Sequence, residues 1–103
     1  MNNFTATGNI GRDVEVRYTS SGTAIASFPL AVKSGYGDHE KTTWFRCTLW
    51  GKRAEGGLIP YLTKGQQVCV SGEISVSEWD KKDGTKGFSV DLRINDLDLV
   101  GGK

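Results

Sequence analysis

Short runs of alternating apolar and polar residues, each closed off by glycine, are what most restrict the fold of this chain. Residues 4–10, 14–18, 23–33, 43–50, 66–79 and 87–94 carry β-branched and aromatic side chains at period two. The 14 glycines fall largely between or beside these runs, and no long stretch repeats its apolar residues at 3.6. The one helix candidate, AEGGLIPYLTKG within 51–65, is opposed by Gly56-Gly57 and Pro60, so a short or broken helix is expected around 57–63. Strand runs with one short helix late in the order predict an all-β domain. The specific expectation is a five-stranded Greek-key barrel of OB-fold type, with the helix between its third and fourth strands.

Local signals refine the strands. Asp83-Gly84 within Asp80–Lys86 marks a hairpin turn. Pro29 removes a ladder donor, which places that part of its strand at an edge or bulge. Phe88, Val90, Leu92 and Ile94 share a phase that slips by one at Leu97 and Leu99, indicating a bulge near Asn95 or a strand end. At 103 residues the chain makes one domain, 1–103.

The run TWFRCTLW holds the functional information. Alternation puts Phe45, Cys47 and Leu49 on one face, as a core set, and Trp44, Arg46, Thr48 and Trp50 on the other. Two indoles flanking an arginine on an outward face are what a base-stacking platform requires, because every base offers a π surface. Tyr36 in the polar loop 34–42 and Trp79 at the foot of the Asp-Gly hairpin, beside Lys81 and Lys82, extend the set. A cluster of exposed aromatics marks a binding surface.

Other chemistry finds little material. The two cysteines and single histidine fall short of a zinc site, and Cys47 and Cys69 are expected as buried or half-buried thiols. Asp96 and Asp98 read as a solvated pair, His39 as a solvated loop residue, and GNIGRD as no dinucleotide fingerprint. No cofactor and no catalytic constellation is expected. The N-terminus lacks the pattern of a secretion signal and no apolar run reaches bilayer length, so a cytoplasmic, nucleoid-associated protein without membrane contact is expected. The net charge of +1 is low for a protein that binds phosphates.

The segments GNIGRDVEVRYTSSGTAIASFPLAV, TTWFRCTLWGKRAE and YLTKGQQVCVSGEISVSEWDKKDG, in series, resemble the DNA-binding domain of bacterial single-stranded DNA-binding proteins. The resemblance implies a non-enzymatic, sequence-tolerant binder of single-stranded DNA acting in replication, recombination or repair. It implies stacking by Tyr36, Trp44, Trp50 and Trp79, phosphate contacts from Arg46, Lys52 and Lys64, and a homotetramer. Phe4, Ala6, Ile10 and Phe45 are candidates for either subunit contacts or the core. A dimeric primosome-type adaptor of the same fold is the alternative, and a metal-dependent nuclease a more distant one. Three departures stand out. Tyr36 and Trp50 replace the commoner tryptophan and phenylalanine. Ser75–Glu78 lacks the basic residues often found there. The family typically continues into a linker ending in an acidic tip that recruits partners, whereas these residues stop at Gly101-Gly102-Lys103. A truncated chain and a naturally tail-less one both fit, which puts tail-mediated partners in doubt.

Overall fold

A computed structural model describes residues 1–100 of the protein. Gly101-Gly102-Lys103 lie outside the described residues.

Six strands form: β1 (Phe4–Ile10), β2 (Glu15–Tyr18), β3 (Ala24–Ser34), β4 (Lys41–Trp50), β5 (Gln67–Asp80) and β6 (Lys86–Leu99). Five of them close a ring. β1 pairs antiparallel with β3 and β5, β3 with β4, and β5 with β6, while β4 and β6 run parallel. The expected five-stranded barrel is therefore present, with β2 as an additional short strand paired to β3.

The inward side chains fill the barrel. Ile10, Phe28, Leu30, Cys47, Val68, Val70 and Leu92 are fully buried, and Phe45 and Leu49 join them as alternation requires. Burial pushes the Cys47 thiol up to about 12, so this sulfur stays protonated, while Cys69 is half-buried. Ile10 and Phe45 thus belong to the core rather than to a surface available for subunit contacts. Phe4 is partly buried, with its ring centroid 5.1 Å from that of Phe45.

The expected helix is replaced by two 3-10 turns, at Gly51–Glu55 and Ile59–Tyr61. The backbone at Gly56 is extended, which interrupts helical hydrogen bonding between them. Pro60, which has no N–H to donate, is accepted within the first positions of the second turn. The segment still plugs the barrel. Leu62 is fully buried, and its carbonyl accepts from the Val14 N–H at 2.9 Å.

Pro29 sits where β3 changes partners, between its pairing with β2 (through Ser27) and with β1 (from Leu30). Its carbonyl accepts from Gly11 N–H at 2.9 Å, so the missing donor falls on that side and the β4 ladder is untouched. The phase slip in β6 is a bulge. Ser71 opposes Asp96 and Gly72 opposes Ile94, which leaves Asn95 as the extra residue. At this bulge the backbones come so close that a Cβ on Gly72 would lie 2.0 Å from the Arg93 carbonyl oxygen.

β5 and β6 outgrow the barrel. Each has 14 residues, roughly 46 Å of straight strand, against molecular extents of 40 × 39 × 29 Å. The outer part of the hairpin has no core beneath it. Val76 and Phe88 keep the phase of buried neighbours yet are 65% and 63% exposed.

Because the Arg93 carbonyl cannot move without disturbing the bulge, Gly72→Ala is expected to destabilise the barrel by about 3 kcal/mol. Urea denaturation measures this as a lowered midpoint with an unchanged slope.

Candidate nucleic-acid interface

Register and alternation assemble one continuous outer face. On β4 it carries Trp44, Arg46, Thr48 and Trp50. Arg46 opposes Asp91 on β6 and Thr48 opposes Arg93. Across to β5, Asp91 opposes Ser75, Ser89 opposes Ser77, and Gly87 opposes Trp79. Trp79, near the end of β5, therefore shares its sheet face with Trp44 and Trp50. Trp44, Trp50 and Trp79 are 55%, 38% and 49% exposed.

Each indole leans on something different. The Trp44 ring lies over Gly11, where a Cβ would come within 2.6 Å of Cζ3. The Trp79 ring lies over its cross-strand partner Gly87, where a Cβ would come within 2.5 Å of Cε2. Trp50 donates its Nε1–H to Thr48 Oγ1 at 3.2 Å, and the Arg93 guanidinium lies 4.6 Å from its ring centroid. Two glycines and one arginine thus restrict the rings while leaving surface open. That reduces the conformational entropy lost when a flat ligand stacks on them.

The cations divide into held and free. Arg46 Nε lies 3.2 Å from Asp91 Oδ1, and Asp91 also accepts hydroxyl hydrogen bonds from Ser77 and from Ser89, the latter at 2.8 Å. Burial alone would raise the Asp91 pKa. The two serine hydroxyls and Arg46 outweigh it, and the carboxyl is held below its usual value. Lys86 pairs with Asp80 at 2.8 Å across the hairpin. Lys81 and Lys82 are exposed in its turn, where Lys81 N–H donates to the Thr85 carbonyl at 2.8 Å and Gly84 takes φ +88°. Lys52 follows Trp50 in the 3-10 turn. Lys64 lies beside Gly65, whose N–H donates to the Ile10 carbonyl, one residue from the glycine under Trp44; its own N–H donates to Asp13 Oδ1 at 2.8 Å.

Tyr36 stands apart on the β3–β4 loop, 86% exposed and outside the sheet face. Conversely, a surface groove of about 360 Å³ brings Arg12 and Phe88 to Trp44, Arg46 and Pro29, and neither of the first two follows from alternation. Phe88 shares the phase of core residues. Only the excess length of β5 and β6 over the other strands signals that it lies beyond the barrel. Arg93 gives no sign in the sequence, because its partner Trp50 lies 43 positions away.

Two outcomes are expected. Gly87→Ala should leave the fold intact but push the Trp79 indole aside, read as a change in tryptophan emission that is absent in a Trp79→Phe background. The stability due to the lowered Asp91 pKa is fully present above the unfolded-chain value, about 3.9, and is lost as pH falls through the lowered native value. Asp91→Asn should therefore flatten the acid limb of a stability–pH profile and lower stability at neutral pH.

A family model described as the single-strand binding protein family matches residues 1–100. A Chlorobaculum tepidum protein named single-stranded DNA-binding protein 1 is 34% identical over all of this chain, which spans 67% of that relative. A single-stranded DNA-binding protein of Chlamydia muridarum is 37% identical over 92% of this chain and 60% of its own length. For one from Xanthomonas campestris the values are 35%, 100% and 62%. The chain thus spans roughly three-fifths to two-thirds of these relatives. Among solved structures, a Plasmodium falciparum SSB in complex with ssDNA superposes with a TM-score of 0.80 at 22% identity, covering 98% of this chain and 96% of that one, a likeness of fold. From the match along residues 1–100 and the relatives above 30% identity, the chain belongs to the single-strand binding protein family.

Proposed function

We propose that this chain binds single-stranded DNA with little sequence preference, stacking bases on Trp44, Trp50 and Trp79 and contacting phosphates through surrounding cations. The carrying observation is that three indoles from two strands share one continuous sheet face, each backed on one side and open elsewhere. Stacking tolerates any base, at about 1–3 kcal/mol per aromatic removed. Tyr36, exposed on the β3–β4 loop, adds a stacking ring from outside the sheet face. Lys52, Lys64, Lys81 and Lys82 supply charge along the edges of the face, and Arg46 contributes only in competition with Asp91.

With a net charge of +1, affinity falls less steeply with salt than in strongly basic binders, because stacking survives screening. The role that follows is coverage of exposed single strands during replication, recombination or repair, as a binding module rather than an enzyme, in the cytoplasm at the nucleoid. Among the described residues, no helix is long and apolar enough to cross a membrane.

A homotetramer is part of the same reading. Support comes from β1, which pairs with β5 along Phe4–Asn9 but with β3 only at Asn9 and Ile10. The edge of Phe4–Gly8 that faces away from β5 is thus unpaired among the described residues, a surface on which a second copy can add a strand. The dimeric adaptor gains no separate support.

Titration with poly(dT) should quench tryptophan fluorescence at micromolar protein, and an unchanged signal would refute the proposal. Alanine at Trp44, Trp50 or Trp79 should each weaken binding by about 1–3 kcal/mol. Light scattering with and without (dT) oligomers gives subunit number and nucleotides per complex.

A further inference from the structure

The reading of Trp44-Phe45-Arg46 from sequence makes Arg46 the cation of the stacking face, and the structure shifts that role. Arg46 lies 3.2 Å from Asp91, whose charge is further held by Ser77 and Ser89. A phosphate approaching Arg46 would have to share the guanidinium with this carboxylate and approach its negative charge. Arg93 is placed differently. It projects from β6 on the same face, opposite Thr48 on β4 and Glu73 on β5. It is exposed, and among the described residues no carboxylate oxygen comes within 4.0 Å of it.

Among the described residues its guanidinium lies over the Trp50 ring, 4.6 Å from the centroid. Stacking on an aromatic ring uses the guanidinium's π face and none of its five N–H donors, whereas an ion pair uses both donor and charge. Arg93, lying over one side of the Trp50 ring with no carboxylate partner among the described residues, therefore keeps N–H donors available beside a stacking ring. A base stacked on Trp50 brings its backbone phosphate within one sugar of the ring, and so within reach of a long side chain beside it.

Building on the proposed single-stranded DNA binding, we propose that Arg93, not Arg46, is the principal phosphate-binding cation of the tryptophan face. Stacked on Trp50, it couples the position of one base to that of its neighbouring phosphate. Arg46 is a positioning residue, fixing β4 to β6 through Asp91.

The test is a tryptophan-fluorescence titration with one oligo(dT) length at several salt concentrations, on wild type, Arg93→Ala, Arg93→Lys and Arg46→Ala. Urea melts would first verify that each variant folds. Arg93→Ala should weaken binding about tenfold at low salt. It should also make the plot of log Kd against log salt shallower by about 0.7 per contacting protomer. Arg93→Lys should restore the slope but not the full affinity, because an ammonium supplies charge without a planar stack. Arg46→Ala should flatten the slope less than Arg93→Ala does, because Asp91 already occupies its guanidinium. A wild-type slope in Arg93→Ala, or a loss of slope in Arg46→Ala alone, overturns the assignment while single-stranded DNA binding stands. Absence of wild-type binding overturns both.

Discussion

Closure of the barrel is the constraint on which everything else in this molecule rests. A strand in a closed ring has one side committed to the core, so the other side must face out. The parallel pairing of β4 with β6 and the antiparallel pairing of β1 with β3 and β5 complete that ring. Phe45, Cys47 and Leu49 are thereby driven inward, which leaves Trp44 and Trp50 no interior to occupy. The same closure sets the geometry of the bulge at Asn95. There an extra residue on β6 is accommodated by a glycine on β5 that lets the two backbones approach.

Exposed indoles alone make an adhesive surface; restricted ones make a selective platform. The restriction comes from two glycines and an arginine, none of which would attract notice by residue type. Gly11 and Gly87 act through the space they leave, and Arg93 through a contact between neighbouring strands. The arrangement favours flat ligands, since a ring already held in place loses little freedom when a base stacks on it.

Electrostatically the face is tempered rather than strongly basic. Asp91 offsets Arg46 and Asp80 offsets Lys86, so part of the positive charge on this side is spent within the protein. Ser75–Glu78 adds no basic residue to the outer part of the hairpin.

Which side chains face which way can be read along the chain alone. Period-two alternation is a local property of extended backbone, so the inward set of β4, the Asp83-Gly84 turn and the slip at Asn95 were all legible from neighbouring residues. The sequence also put Trp44, Trp50 and Trp79 among the site residues, partly through family resemblance. What lies across from what is set by the folded barrel. That Trp79 joins the other indoles on one face, that Asp91 holds Arg46, and that Arg93 backs Trp50 depend on cross-strand register between segments far apart in the chain. The exposure of Val76 and Phe88 likewise follows from where the barrel ends beneath the long hairpin. Alternation reports the side of a strand, whereas burial and partnership depend on what the rest of the chain brings to that side.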